Sequence, residues 1–121
     1  MKSVWNKVKR PWGYFQILQK GRGWQLKVLY IAPKQAFSLQ KHSYRSELWT
    51  IAQGKGTATL GKKKIVLKQG DSIFIPKGAI HRCENCTRQD LFIVEVQYGK
   101  KILENDIVRL EDNYGRAKKR L

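Results

Sequence analysis

Glycine and proline interrupt this sequence at short intervals, and almost every segment between them has the alternating pattern of a β-strand. Residues 14–19 and 24–31 flank Gly21-Arg22-Gly23 and predict a hairpin. Further strands are predicted at residues 37–42, 48–52, 57–60, 65–67, 72–75, 80–83 and 91–97. The only helical candidate is a weak one at residues 104–110. Many short strands separated by turns predict an all-β fold, either a sandwich or a jelly-roll barrel.

A chain of 121 residues is expected to form a single domain with one core. We expect an N-terminal arm at residues 1–9, a barrel with its closing motif at 10–116, and a basic tail at 117–121. No apolar run approaches the roughly 18 residues that cross a membrane, and the first residues do not form a secretion signal. A cytoplasmic protein is therefore expected. The two cysteines, Cys83 and Cys86, are too close for an unstrained disulfide, and a redox or zinc role for them is not favoured.

The net charge of +16 has three possible explanations. It can reflect a solvated surface, an anionic small substrate, or a nucleic-acid partner. Lysine and arginine crowd both ends of the sequence, and the rest are scattered through turns. The sequence contains no zinc knuckle and no RNP-type aromatic pair, so nucleic-acid binding beyond nonspecific attraction is the least favoured of the three.

The chain contains only two histidines, His42 and His81, and each lies in a predicted strand. Side chains alternate along a strand, so Gln40, His42 and Tyr44 are expected on one side, with Glu47 just beyond. Imidazole nitrogens together with a carboxylate oxygen are typical ligands of a divalent transition metal.

The spacing around His81 resembles the second signature of the cupins. That signature is a glycine, five residues, Pro-x-Gly, two residues, a histidine, three residues and an asparagine, matched here by Gly70, Pro76, Gly78, His81 and Asn85. The first cupin signature is matched more loosely, by His42, Glu47 and Gly54, with Ala36 in place of its leading glycine. The resemblance implies a cupin jelly-roll barrel.

Among cupins, the chain most resembles the isomerase domain of type II mannose-6-phosphate isomerases, which is often fused to a mannose-1-phosphate guanylyltransferase. The matching stretches are RPWG (10–13), SLQKHSYRSELW (38–49), IPKGAIHRCEN (75–85), VEVQYG (94–99) and NDIVRLEDNYGR (105–116). They cover nearly the whole chain and contain no nucleotidyltransferase segment. The sequence is therefore expected to be the isomerase domain standing alone.

This resemblance implies a divalent metal, zinc in the first place and manganese, cobalt, iron or nickel as alternatives. Its implied ligands are Gln40, His42, Glu47 and His81. Members of the family usually read His-x-His-Arg-x-Glu-His-Trp, whereas this chain has Tyr44 and Leu48 at two of the histidine positions. Tyr44 is then a ligand, a phenol that orients a metal-bound water, or a residue that fills a gap.

The implied reaction interconverts mannose 6-phosphate and fructose 6-phosphate through an enediol. If both histidines bind metal, the base must be a carboxylate, a lysine or a tyrosine. Glu95 is the leading candidate, with Tyr44 and Lys41 in reserve, although an apolar face formed by Phe92, Val94 and Val96 would turn Glu95 towards solvent.

The basic residues near the expected site are assigned to the substrate. Lys41, Arg45 and Arg116 are expected to bind the sugar phosphate, and Arg109 to act in catalysis. Alternatively, Arg109 and Arg116 only neutralise Asp106, Glu111 and Asp112.

The loss of two histidines keeps a second function open, a non-catalytic metal-binding cupin that holds a sugar phosphate or another small anion. In either case we expect a homodimer, because cupins commonly pair through sheet edges and an uncovered edge strand is a liability.

Overall fold

The structure, a computed structural model, describes residues 6–116 and contains only β-strands as regular elements in that range. One sheet has six strands in the order β1 (Val8–Arg10), β2 (Gly13–Gly21), β3 (Trp24–Ile31), β10 (Leu91–Tyr98), β5 (Ser46–Gln53) and β8 (Ser72–Ile75). The other has five, in the order β11 (Val108–Glu111), β4 (Leu39–Lys41), β9 (His81–Glu84), β6 (Lys55–Leu60) and β7 (Lys63–Lys68). All neighbouring strands are antiparallel. The all-β prediction is confirmed.

The two sheets enclose an interior that is apolar at one end and polar at the other. In β3, β5 and β10 every second side chain is buried. At one end these side chains are Ile31, Ile51, Leu91 and Ile93, which pack against residues of the five-stranded sheet such as Ala58, Leu67 and Cys83. Burying each such aliphatic side chain contributes about 1.5–3 kcal/mol. At the other end the same inward positions carry Gln25, Lys27, Glu47, Glu95 and Gln97.

The orientation of β10 corrects one expectation from the sequence. Phe92, Val94 and Val96 do form one face of this strand, but that face points away from the interior, whereas Glu95 is only 4% exposed. A period-two pattern separates two faces of a strand but does not say which face is inside. Glu95 therefore lies within the barrel and not in solvent.

The helix predicted at residues 104–110 does not form. The chain turns at Glu104 and Asn105, where the N–H of Asp106 donates to the carbonyl of Leu103 (3.1 Å), and β11 then pairs with β4. The carboxylate of Asp106 accepts hydrogen bonds from the backbone N–H groups of Ser43 and Tyr44, at 2.8 and 2.9 Å. These bonds hold the turn against the end of β4 and compete with helix formation.

The ends of the chain lie partly outside the described residues. The predicted tail at 117–121 and residues 1–5 of the predicted arm are outside them, and Val8 and Lys9 of that arm belong to β1. Within residues 6–116 no helix is long and apolar enough to cross a bilayer.

Candidate metal centre

Three side chains from different strands meet in the polar end of the barrel. His42 directly follows β4, Glu47 belongs to β5, and His81 begins β9. One ligand atom from each lies within 4.8 Å of the other two, and the three side chains are 1–2% exposed. The Nε2 atoms of His42 and His81 lie 3.2 and 3.7 Å from the carboxylate of Glu47.

The turn between β8 and β9 sets the distance between the two histidines. Gly78 has φ of +83°, in the left-handed region that favours glycine, and its N–H donates to the carbonyl of His42 (2.9 Å). Where β4 pairs with β9, Gln40 lies opposite His81. The two imidazole rings are thereby held with their centroids 4.9 Å apart.

Each imidazole is oriented by a backbone carbonyl. Nδ1 of His42 lies 2.7 Å from the carbonyl oxygen of Asp106, and Nδ1 of His81 lies 2.9 Å from that of Ala79. Since a carbonyl only accepts, Nδ1 donates in both rings, and in a neutral ring the lone pair is then on Nε2. Both Nε2 atoms face Glu47, as metal ligands require.

The charges at this cluster suit a cation. Burial lowers the pKa of His42 to about 4 and also lowers the pKa of His81, so both rings are neutral at pH 7. Burial alone would raise the pKa of Glu47, but the adjacent histidines and the guanidinium of Arg45 hold it well below its usual value. Neutral imidazoles and an ionised carboxylate are the protonation states in which these groups bind metal.

One buried atom of the cluster lacks a partner. Among residues 6–116, Nε2 of His81 accepts no hydrogen bond although it is inaccessible to solvent. A buried nitrogen without a partner is costly, and a metal would satisfy it. The residues present therefore fit a divalent transition metal held by two nitrogens and one oxygen.

Gln40 lies beside these three residues. It is half-buried, and its side-chain nitrogen is 3.4 Å from Nε2 of His42, while its side-chain oxygen accepts from the hydroxyl of Ser38 (2.7 Å). Its amide is near enough to the cluster to serve as a fourth ligand, and that role stays a prediction.

Glu95 lies next to Glu47 inside the barrel. The indole N–H of Trp49 donates to both carboxyl groups, at 3.0 Å to Glu47 and 2.9 Å to Glu95, and the amide of Gln97 donates to Glu95 at 2.6 Å. Burial, followed by the negative charge of Glu47, raises the pKa of Glu95 to about 8. Trp49, which packs in the core against Phe37, also links the two carboxyl groups.

A cavity of about 80 Å³ connects this cluster with the surface. Gln40, His42, Glu47 and Glu95 line it, together with three arginines that are more exposed and lie towards its mouth: Arg10, Arg109 and Arg116. The enclosed volume equals roughly three water molecules. It therefore admits one end of a small substrate, with the remainder at the mouth.

The arginines at the mouth form a cationic cluster in which, among residues 6–116, only Arg116 has a salt bridge to a carboxylate. Arg116 is paired with Asp112 through two hydrogen bonds of 2.8 and 2.9 Å. Nε of Arg109 is buried and has no hydrogen-bond partner among residues 6–116. Burial and the nearby charge of Arg116 lower the pKa of Arg109. Such a cluster favours an anion at the mouth of the cavity.

Two of the residues assigned to substrate binding are placed differently from that expectation. Arg45 is 7% exposed, and its guanidinium donates to Glu47 (2.9 Å) and to the carbonyl of Leu103 (3.1 Å), with Nη2 3.3 Å from His42. It therefore holds the metal cluster in place. Lys41 is half-buried on β4, alternates with Gln40 and does not line the cavity.

Tyr44 is also outside the site. The chain bends at Ser43, which ends the alternation that would place Tyr44 beside His42. Its side chain is 53% exposed and lies on the outer surface, where Nζ of Lys101 is 5.6 Å from its ring centroid. The structure therefore does not support Tyr44 as a ligand or as a group that orients a metal-bound water.

Replacing Tyr44 by phenylalanine should consequently leave metal affinity and turnover within about twofold of the wild-type values, because an exposed hydroxyl contributes little. Metal titration and steady-state kinetics on the purified variant would check this. A loss of about tenfold or more in metal affinity or turnover would show that Tyr44 does contribute to the site.

Sequence reasoning missed two basic residues that line the cavity, Arg10 and Lys27. Arg10, the first residue of the RPWG stretch, shares a face of β1 with Val8, which packs on the core. Lys27 is 3% exposed, and its ammonium contacts the carboxylate of Glu104 (2.9 Å) and the ring of Phe15 (4.1 Å from the centroid). The alternation along β1 and β3 was the available signal for both residues.

The cysteines have no role at the site. Both are free; Cys83 is buried in the core and Cys86 is exposed. Burial raises the pKa of Cys83 to about 12, so this thiol is not a nucleophile at neutral pH.

Comparisons with known proteins agree with this geometry. Residues 1–112 match the family described as mannose-6-phosphate isomerase C-terminal. The xanthan biosynthesis protein XanB of Xanthomonas campestris is 38% identical over 116 residues, which are 95% of this chain but only 25% of XanB. The chain thus spans about a quarter of this curated relative.

Solved structures share the fold at low sequence identity. The capsular polysaccharide assembling protein CapF of Staphylococcus aureus superposes with a TM-score of 0.78 at 20% identity, covering 92% of this chain and 32% of CapF. The Cnp3 cupin domain of Schizosaccharomyces pombe superposes with a TM-score of 0.67 at 11% identity, covering 78% of this chain and 68% of that domain. The chain has a cupin fold and belongs to the mannose-6-phosphate isomerase C-terminal family.

Proposed function

We propose that the protein is a metal-dependent mannose-6-phosphate isomerase that interconverts mannose 6-phosphate and fructose 6-phosphate. The observation that carries this proposal is a cavity that reaches His42 and Glu47 of the cluster and has arginines at its mouth. A sugar phosphate needs both features, a site that polarises its carbonyl and a site that neutralises its phosphate. The family to which the chain belongs is described by the same enzyme name.

In this proposal His42, Glu47 and His81 hold the metal, with Gln40 as a fourth ligand and zinc as the metal. A bound divalent cation would act as a Lewis acid on the sugar carbonyl and stabilise the negative charge that develops on its oxygen during proton transfer. Arg45 keeps Glu47 ionised and oriented through its 2.9 Å hydrogen bond.

Glu95 carries the proton between C1 and C2 of the sugar. It is the remaining carboxyl group that lines the buried part of the cavity, and Trp49 and Gln97 fix its orientation. Once ionised, a buried carboxyl group of raised pKa is a stronger base than an ordinary carboxylate, so it can accept a carbon-bound proton and return it to the adjacent carbon. The phosphate is bound at the mouth by Arg109 and Arg116, to which the structure adds Arg10.

The direct test is a coupled assay for fructose 6-phosphate formed from mannose 6-phosphate. Protein stripped of metal should be inactive, and stoichiometric zinc, manganese or cobalt should restore turnover. Metal-loaded protein that isomerises no hexose phosphate would disprove the proposal.

Replacing Arg109 by methionine should raise KM for mannose 6-phosphate by about 10- to 100-fold, because a buried cationic contact to the phosphate is lost. The matched control is Lys41→Met, which removes a positive charge from the neighbouring strand but outside the cavity. Its KM should stay near the wild-type value, and equal effects of the two variants would show that only general charge attraction is involved.

A second candidate is a non-catalytic metal-binding cupin that binds a sugar phosphate or another small anion. The observation in its favour is crowding at His42, whose Nε2 has the guanidinium of Arg45 at 3.3 Å and the amide of Gln40 at 3.4 Å. Calorimetry separates the two functions: tight binding of metal and mannose 6-phosphate without turnover would favour the binder.

A further inference from the structure

A second concave surface lies outside the barrel, at the end that holds the metal cluster. We define the outer groove by the side chains that form its walls: Tyr44, Lys77, Tyr98, Lys100 and Lys101. Its volume is about 440 Å³, within the range of roughly 300–1,000 Å³ that is typical of small-molecule sites. None of these residues lines the cavity of the candidate metal centre. The outer groove is therefore a separate surface with its own chemistry.

Backbone hydrogen bonds hold the walls of the outer groove in place. The N–H of Tyr44 donates to the carboxylate of Asp106 at 2.9 Å. The turn that carries Lys77 is fixed at the next residue, Gly78, whose N–H donates to the carbonyl of His42 at 2.9 Å. The shape of the outer groove is thus set by the same contacts that position the metal cluster.

Gly99 brings two of these walls together. It follows the end of β10, and its N–H donates to the carbonyl of Gly23 at 3.0 Å. A β-carbon at residue 99 would overlap with the carbonyl oxygen of Tyr44, so only a residue without a side chain allows this approach. The two residues that follow, Lys100 and Lys101, are thereby placed beside Tyr44.

Two exposed tyrosines form the apolar part of the outer groove. Tyr44 is 53% exposed and Tyr98 is 41% exposed. Nζ of Lys101 lies 5.6 Å from the ring centroid of Tyr44, a cation–π contact that holds one ammonium group beside the ring. Single exposed aromatic residues are common on surfaces, whereas two that line one groove offer rings on which the flat ring of a ligand can stack.

The charge of the outer groove is entirely positive. Lys77, Lys100 and Lys101 line it, and no acidic residue among residues 6–116 does. In the same part of the chain, none of the three ammonium groups lies within salt-bridge distance of a carboxylate. Lysine binds phosphate groups as a point charge. The outer groove is therefore suited to an anion.

Tyrosine rings next to three lysines favour one class of ligand, a phosphate ester that carries a flat ring. Inorganic phosphate would use only the lysines, and a neutral aromatic compound would use only the tyrosines. Single-stranded nucleic acids are bound in longer grooves, where several rings follow a basic track. A nucleoside diphosphate has a single base for the tyrosines and two phosphate groups for the lysines.

We propose that the outer groove binds a nucleoside diphosphate. The base stacks against Tyr44 and Tyr98, and the phosphates lie at Lys77, Lys100 and Lys101. This binding is independent of the proposed isomerase activity, because the outer groove and the cavity share no residue.

The test is calorimetric titration of the full chain, stripped of metal, with ADP. The wild type should bind ADP in a one-to-one ratio, and inorganic pyrophosphate should bind at least about tenfold more weakly because it has no base to stack. Tyr44→Ala should weaken ADP binding by about 5- to 150-fold, the factor that stacking on one ring contributes. Tyr44→Phe keeps the ring and should bind ADP within about twofold of the wild type.

Lys101→Met should weaken ADP binding by about tenfold, since it removes one contact to the phosphates. Its matched control is Lys62→Met, which removes the same charge from the turn between β6 and β7, away from the outer groove. This control should bind ADP like the wild type. Equal losses in the two variants would show only general attraction to a basic chain and would overturn the proposal.

Arg109→Met decides between the outer groove and the arginines at the mouth of the cavity. It should leave ADP binding unchanged, because Arg109 lines only the cavity. The proposal would be overturned if Arg109→Met lost ADP while Tyr44→Ala and Lys101→Met kept it. It would also be overturned if the wild type bound no ADP, or bound pyrophosphate as tightly as ADP. The titration requires no turnover, so its outcome does not depend on the proposed isomerase activity.

Discussion

Replacing His81 by alanine is expected to lower metal affinity by more than about 100-fold and to abolish isomerase turnover. His81 supplies one of the two nitrogens of the cluster, and its Nε2 has no hydrogen-bond partner among the described residues. Elemental analysis of the purified variant and calorimetric titration with zinc measure the first effect, and the coupled assay measures the second.

The metal-free protein serves as a control that separates loss of metal binding from loss of stability in His81→Ala. Because Nε2 of His81 accepts no hydrogen bond, His81→Ala should cost the metal-free protein only packing and the bond from Nδ1 to the carbonyl of Ala79. His81→Gln, of similar size, should retain most of the stability. Thermal unfolding with and without zinc should therefore show a zinc-dependent rise in Tm for the wild type and none for either variant. If His81→Ala bound as much metal as the wild type, His81 would not be a ligand.

Replacing Glu95 by glutamine should reduce kcat/KM by about 10²- to 10⁴-fold while leaving the metal bound. Glutamine has nearly the same shape, and its side-chain oxygen can still accept from the indole of Trp49, but it cannot accept a proton from carbon. In the proposed function the fall should appear in kcat, since the phosphate would be held elsewhere, at the arginines of the cavity mouth.

Glu104→Gln is the matched control for Glu95. It removes a carboxylate that also lines the cavity but is half-exposed and paired with Lys27. Its turnover should remain within about tenfold of the wild-type value. If Glu95→Gln were fully active, the base would have to be sought elsewhere, and if it lost the metal, Glu95 would act by supporting Glu47.

The arrangement of side chains at the polar end of the barrel explains why metal binding and proton transfer can be lost separately. Glu47 and Glu95 lie side by side and share the indole of Trp49, yet one faces the imidazoles and the other is held by Gln97. The ionised carboxylate is suited to a cation, and the one with raised pKa is suited to a proton.

Spacing along the chain was sufficient to predict that His42, Glu47 and His81 come together in a cluster that fits a metal. His42, Glu47 and His81 occupy positions of the two cupin signatures, and the glycine and proline residues of the second signature predict the turn that brings β9 back beside β4. These are short-range relations, because turn chemistry and strand alternation depend on neighbouring residues. The hairpin of β2 and β3 and the all-β class were predictable for the same reason.

Local sequence patterns do not reveal which face of a strand is buried or how the chain bends between strands. Glu95 lies inside because β10 turns its apolar residues outwards, and Tyr44 lies outside because a bend follows His42. Arg45 is withdrawn from substrate by Glu47, a neighbour whose orientation depends on the whole cluster. The sequence by itself determined most strand positions, the turns and the residue types of the candidate metal cluster. Only the packing of two sheets decided which side of each strand is buried, since burial depends on residues far apart in the chain.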